Sequence, residues 1–411
     1  MFELLLTGAS VATMAGDQPF GQIPDGAIGV RGGKVEWVGP MSALPSSEAG
    51  TVRHLGGRVV TPGLVDPHTH LVYGEESYVD FDVLSGGGQR WDLEPHGGGV
   101  GGIVKRTRAL SEEDLFAASR ARLVRLIANG VTTVESKSGS GLDFATEMAS
   151  MRVSRALGRD LPVTVVSTFL GAHGLAPEYA GRRDAYVDFL CDEVLPAAID
   201  EGIVDQVDGF CDEVGFSHEQ MGRLYARAAA HGLGVKAHAD QYTDFGAGAL
   251  VARHGGLSAD HLEYASEATV REMAAAGTVA TLLPGAHFTL HETQKPPVEL
   301  FRQHGVPMAL ATNCNPVSSP TVSPAAQMHL ACYLFRLTAE EALRGFTTNA
   351  ARALGLADSA GTIATGRDAD LAVWDTDDPR GIPYLIGGAA CLAVVKRGAM
   401  VHDEMSVGLR R

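Results

Sequence analysis

Cysteine is scarce in this chain. Its 411 residues hold five, at positions 191, 211, 314, 332 and 391, an odd number with no CxxC pair among them. This excludes a disulfide framework or a structural zinc knuckle as the organising device, and it fits a reducing cytoplasm. Positive charge is also short. The 33 Lys and Arg stand against 49 Asp and Glu, a formal net charge of −16. A phosphate backbone or an anionic bilayer recruits a basic surface, so neither nucleic acid nor membrane is expected as a partner. The sum leaves room for a local basic pocket. No uninterrupted apolar run reaches the length of a membrane span. No basic stretch leads into an apolar segment at the N-terminus, and residues 2–6 read as a strand instead of a secretion signal. The expected compartment is the cytoplasm.

What the chain has in excess is glycine, 50 residues without a Gly-X-Y period. That suits a fold with many tight turns. The 45% hydrophobic and 20% charged composition is ordinary for a globular protein. A chain this long exceeds one growing core, so a large unit plus a smaller one is expected. Residues 2–6, 27–30 and 35–38 near one end, and 369–374 and 391–396 near the other, read as strands between glycine turns. The simplest arrangement pairs them into one small β domain, residues 1–60 with 361–411, a β-sandwich formed from both termini. Residues 61–360 alternate short apolar runs with amphipathic stretches. Candidate strands are 64–66, 131–136, 163–169, 206–210, 234–237, 256–259, 278–283 and 307–311. Candidate helices are 111–129, 143–157, 185–201, 217–231, 245–254, 267–276 and 298–304, with the eighth at 324–334 or 339–354. Ser111 with Glu113 and Asp114 after it marks a helix start. Buried parallel strands read as near-continuous apolar runs. The pattern predicts an α/β fold, a TIM-type (β/α)8 barrel. Glycines at 86–88 and 97–102 predict a mobile loop after the first barrel strand.

The strongest chemical signal is Asp66-Pro67-His68-Thr69-His70, directly after that strand. Residues two apart in extended chain share a face, so His68 and His70 can present two imidazoles to one ion. A histidine pair alone is equally explained as a hydrogen-bonded polar cluster. Other strand ends decide against that. The third ends at His173, the fifth at His238, the sixth at His261 and the eighth at Asn313. Active sites of such barrels lie at the C-terminal strand ends. A catalytic metal takes about three protein ligands and keeps one position open. His68, His70 and His238 supply three neutral nitrogens, a set that suits zinc, iron or manganese better than magnesium or calcium.

These residues carry a resemblance. The run from Thr61 to His70 resembles the entry motif of the amidohydrolase superfamily. Glu135-Ser136-Lys137-Ser138-Gly139, Thr168-Phe169-Leu170-Gly171-Ala172-His173, the stretch 258–263, Leu282-Leu283-Pro284-Gly285 and Asn315-Pro316 resemble the imidazolonepropionases. The resemblance spans nearly the whole chain. It implies hydrolysis of 4-imidazolone-5-propanoate to N-formimidoyl-glutamate in histidine degradation, one Zn or Fe ion, and a homodimer. Carried over by position, His68, His70, His238 and Asn313 match metal ligands, and His261 and Gln241 match catalytic positions. His173, Gln241, Asn315 and Ser318 match positions that line the substrate.

Several positions depart from the family pattern. Asn313 stands where the family has an aspartate that ligates the metal and carries a proton. An amide oxygen can coordinate but cannot act as a carboxylate base. Ser77 replaces an arginine that pairs with the substrate carboxylate, Ser140 a tyrosine, Val317 a glycine, and Arg90 falls where the family has a tyrosine. Arg90 is expected to take over the carboxylate, since an arginine can bind one bidentately. Its plain alternative is a solvated loop residue. The expected function is therefore a metal-dependent amidohydrolase opening a small five-membered cyclic amide or amidine, nearest to 4-imidazolone-5-propanoate. The rivals are a related enzyme acting on a hydantoin, thiohydantoin or similar heterocycle, and a metal-binding pseudoenzyme.

Overall fold

The computed structural model describes residues 1–16, 18–386 and 390–405. Eight parallel strands form the barrel in chain order: β1 Leu64–Asp66, β2 Val131–Lys137, β3 Thr164–Ala172, β4 Gln206–Cys211, β5 Gly234–Ala239, β6 Ser258–His261, β7 Val279–Leu282 and β8 Met308–Leu310. All eight expected strands are present. Their near-continuous burial explains why they were legible. The ring is closed between β8 and β1 by specific bonds: Thr312 donates from its backbone N and Oγ1 to Asp66 (3.0 and 2.5 Å), Asn313 N to the His68 carbonyl (3.0 Å), and His70 N to the Cys314 carbonyl (3.1 Å). The seam that completes the barrel is thus the segment that carries His68, His70 and Asn313.

The helices start where the sequence provides caps. Ser111 Oγ accepts from Asp114 N ahead of Glu112–Ala128, and Ser217 and Gln220 form a reciprocal capping box ahead of His218–Ala230. The stretch expected as one helix at 185–201 is instead Arg183–Phe189, a π turn Leu190–Val194, and Leu195–Asp200. Pro196 has no N–H to donate back along the helix, and the wider turn before it absorbs the mismatch. Both candidates for the eighth helix exist: Pro324–Leu334, and a second stretch broken into Ala339–Gly345 and Thr348–Ala353. The latter pair lies against the barrel. A Cβ added at Gly345 would come within 2.8 Å of Leu310 on β8. The expected mobile loop after β1 is a correction. That segment folds into helices Tyr78–Ser85 and Gly99–Arg108 with two short 3₁₀ turns between them. Buried Asp80 accepts from Gly99 N at 2.9 Å and ties the two helices together. The glycine count hid the apolar positions Val100, Ile103 and Val104 that give this segment a packing face.

Strands from both ends of the chain form one second sheet. Its order is Ala399–Asp403, Cys391–Lys396, Leu371–Trp374, Val59–Pro62, Phe2–Ala12, Gln22–Arg31, Lys34–Pro40, with Ala49–His54 also paired to Phe2–Ala12. The two arms join where Leu371 pairs with Pro62 and Trp374 with Val59, antiparallel. Leu6, Val11, Ile28, Val60, Leu371 and Val395 share its core. Lys396 ties it to the barrel, donating to Asp370 (2.6 Å) and to Thr164 on β3 (2.8 Å). No helix among the described residues is long and apolar enough to cross a membrane.

Candidate active site

The C-terminal ends of the barrel strands gather five histidines. His70 is central: its Nε2 lies 3.3 Å from His68 Nε2 and 3.4 Å from His238 Nε2. His173 stacks on His70 with ring centroids 4.8 Å apart, and the His261 ring is 5.4 Å from that of His238. Two of the rings are aimed from behind. His68 Nδ1 meets Asp260 at 2.6 Å and His238 Nδ1 meets Asp208 at 3.2 Å. A carboxylate behind Nδ1 fixes the tautomer and leaves Nε2 with its lone pair forward. Burial holds His68, His70 and His261 well below the usual imidazole range and pushes His173 down to about 4. These four rings are therefore neutral, as nitrogen ligands must be. Buried polar atoms at the site without a hydrogen-bond partner in the protein include His70 Nδ1, His261 Nδ1, Glu263 Oε2 and Asn313 Oδ1.

Backbone strain marks the same place. His261 (φ +82°), Leu262 (+69°) and Asp240 (+48°) sit in the left-handed region, as does Asn313 (+51°). Asparagine tolerates that conformation, whereas histidine and leucine adopt it at a cost of about 1–3 kcal/mol each. The reversal after β6 brings Glu263 back beside His261, with Nδ1 and Oε2 3.8 Å apart. Burial pushes the Glu263 carboxyl up to about 8.

Beneath the histidines lies a fully buried ionic cluster that the sequence reading did not anticipate. Lys137 Nζ is 2.8 Å from Glu135, 2.6 Å from Asp208 and 3.8 Å from Asp260. Lys236 Nζ is 3.1 Å from Glu135 and 3.6 Å from Asp260, and it donates to the Pro67 carbonyl at 2.5 Å. Burial opposes the charge on Lys137, but Asp208 and Glu135 outweigh it and hold the ammonium above its ordinary value. Removing one partner from such a cluster strands the others and typically costs about 3–5 kcal/mol. The same Asp208 and Asp260 back His238 and His68, so the cluster fixes ligand geometry as well as charge. A signal existed: Glu135 and Lys137 are two apart on one strand and therefore share a face.

A cavity of about 540 Å³ opens over the histidines. It is lined by His70, His173, His238, His261 and Asn313, and by Arg90, Ser140, Gln241, Asn315, Val317 and Ser318. His68 is fully buried below them. Ser77, expected to touch substrate, is a correction. It does not line the cavity; its Oγ accepts from Arg106 Nη2 at 3.0 Å. A serine is too short to reach the space that a longer side chain would enter from there. Asn315 lines the cavity, but its amide is engaged in the loop: Nδ2 donates to the Asn313 carbonyl (2.6 Å) and Oδ1 accepts from Val317 N and Ser318 N (2.9 and 2.8 Å). Glu147 accepts from Gly139 N and Leu142 N, both at 2.9 Å, and so holds the loop carrying Ser140. His173 Nδ1 bonds the Gly139 carbonyl at 3.2 Å. Arg90 stands 4.4 Å over the Tyr242 ring, a cation–π contact that keeps its guanidinium at the wall. Tyr242, Phe210 and Trp91 also line the cavity and were not foreseen.

Comparison with known proteins places this geometry. The amidohydrolase family model matches residues 59–408. The imidazolonepropionase of Ralstonia nicotianae is 50% identical over 400 residues, covering 97% of this chain and 98% of that protein. That of Ruegeria sp. is 49% identical over 397 residues, covering 96% and 98%. The chain belongs to the imidazolonepropionase group of the amidohydrolase family. Among solved structures, a 5-methylcytosine deaminase from Klebsiella pneumoniae superposes with a TM-score of 0.76 at 17% identity, covering 99% of both chains. A triazine hydrolase variant gives 0.74 at 20%, covering 98% of this chain and 95% of that one. At these identities the likeness speaks for the fold alone. For an imidazolonepropionase relative, the departures noted in the sequence are concentrated in space. Arg90, Ser140, Asn313 and Val317 all line the one cavity, and Ser77 is not among its lining residues.

Proposed function

We propose that this chain opens a five-membered cyclic amide or amidine by metal-dependent hydrolysis, with 4-imidazolone-5-propanoate as the nearest substrate and N-formimidoyl-glutamate as its product. The observation that carries this reading is the meeting of three imidazoles at His70 Nε2, which lies 3.3 Å from His68 Nε2 and 3.4 Å from His238 Nε2, with the outer two rings aimed by carboxylates. Clustered ring nitrogens of this kind are the donor set that a catalytic divalent ion takes. The residues fit a divalent ion: His68, His70 and His238 would hold it, and the unpartnered Asn313 Oδ1 offers an amide oxygen beside them. A nitrogen-rich set of this kind suits zinc or iron. When bound, such an ion supplies Lewis acidity that polarises the scissile carbonyl and makes water a nucleophile near neutral pH.

The chain's own side chains do the rest. His261 is assigned as the general base. It takes a proton from the attacking water at Nε2 and returns it to the departing ring nitrogen. His173, fixed by the Gly139 carbonyl, and Gln241 orient the ring. Arg90 anchors the carboxylate tail in place of the missing arginine at position 77. The five free cysteines support work in a reducing cytoplasm. Ser140 and Val317 reshape the cavity wall, and this favours one second reading, a hydantoin or thiohydantoin ring.

Arg90→Gln tests the anchoring role. A charge-assisted bond to carboxylate contributes about 1.5–3 kcal/mol, so the KM for an acidic ring substrate should rise by roughly ten- to a hundredfold. Because the tail is bound alike in ground and transition states, kcat should hold. An unchanged KM for acidic rings in steady-state assays would return Arg90 to the role of a solvated loop residue.

A further inference from the structure

Asn313 leaves this site without the carboxylate that would share proton handling, so the orientation of His261 matters more here. His261 is 3% exposed and Glu263 2%, and each carries a polar atom with no other partner: Nδ1 of the histidine and Oε2 of the glutamate. These two atoms face each other at 3.8 Å. The strained turn makes them face. His261 and Leu262 both adopt positive φ, and the turn is pinned to the end of β5 by Leu262 N to the Ala239 carbonyl (3.0 Å) and Tyr264 N to the Asp240 carbonyl (2.8 Å). A separation of 3.8 Å exceeds a formed hydrogen bond, and such bonds commonly tighten only when substrate is in place. Neither atom has another protein partner, and buried polar atoms are normally paired.

We propose that Glu263 is a positioning residue for His261: its side-chain oxygen accepts the Nδ1 hydrogen, fixing the tautomer that leaves the Nε2 lone pair free toward the cavity. The inference rests on the reading of His261 as the base. Glu263 keeps its own proton count throughout. The proton taken from water arrives at Nε2 and leaves from Nε2 to the ring nitrogen, while the Nδ1 hydrogen stays where it is.

Two variants separate this from a packing role. Glu263→Gln retains an acceptor oxygen and should keep kcat close to the parent. Glu263→Leu replaces a buried carboxyl by an apolar side chain of similar size, so the packing is kept while the Nδ1 hydrogen loses its acceptor. It should nevertheless lower kcat about 10- to 100-fold, as loss of a histidine's outer partner does, with KM and bound metal unchanged. A substrate-independent readout accompanies the kinetics: long-range proton–nitrogen spectra of the zinc-loaded, histidine-labelled protein. His261 should show hydrogen on Nδ1 in the parent and in Glu263→Gln, and a mixture of tautomers in Glu263→Leu. Parental kcat or an unchanged His261 tautomer in Glu263→Leu overturns the proposal. His261→Ala is assayed alongside. If it too is fully active, the reading of His261 as base falls first and this inference with it. If it is inactive while Glu263→Leu is not, only this inference falls.

Discussion

His261→Ala lowers the rate of ring opening by about 10²–10⁴-fold, the usual contribution of a positioned acid or base, while bound metal stays at the parental level. The second half of that result is the informative one. His261 lies close enough to His68 and His238 that these three could themselves form a metal triad. The geometry argues for His70 instead as the third ligand beside His68 and His238. Its Nε2 meets both of theirs at 3.3–3.4 Å, and the Nδ1 atoms of those two are already spent on Asp260 and Asp208. His261, by contrast, has its Nδ1 3.8 Å from Glu263 Oε2. Metal lost together with activity in His261→Ala would reassign it as a ligand. Metal retained with full activity would remove it from the mechanism.

Asn313→Asp raises hydrolysis of 4-imidazolone-5-propanoate by a comparable factor, about 10²–10⁴. The side chain lies at the closing seam of the barrel, almost fully buried, with its Oδ1 unpartnered, and the residue lines the same cavity as His70, His238 and His261. A carboxylate there adds a second proton carrier and an anionic ligand, and it needs no backbone change, because aspartate also tolerates the left-handed conformation that Asn313 adopts. Turnover of imidazolone, hydantoin and thiohydantoin rings by parent and variant is the measurement. A gain confined to the imidazolone supports the proposed substrate. No gain with that ring, together with hydantoin turnover by the parent, would favour the second reading.

Much of this architecture was legible in the chain. The barrel strands are buried on both faces and so appear as apolar runs, and histidines at the ends of four of them pointed to one chemical centre. What escaped has physical reasons. Glu135, Lys137 and Lys236 contradict the rule that strands buried on both sides are apolar. They are tolerated because each charge finds opposite partners from other strands, and sequence spacing does not reveal those partners. The 78–108 segment read as a loop because its glycines outweighed a weak apolar face that only the cavity wall explains. Ser77 was expected in the pocket because its position matches a longer side chain, and position alone does not tell how far a serine reaches. Glu263 lay inside a quoted motif but drew no role, because its alignment with His261 depends on two positive φ angles that no pattern announces.

The central claim is that His68, His70 and His238 hold one catalytic divalent ion. Metal analysis of the purified protein, with ring-opening assays on the same samples, tests it most directly. The account predicts about one zinc or iron per chain, with metal and turnover lost together in His70→Ala and His238→Ala. Turnover that persists in metal-free protein, or full metal occupancy in both variants, would contradict it.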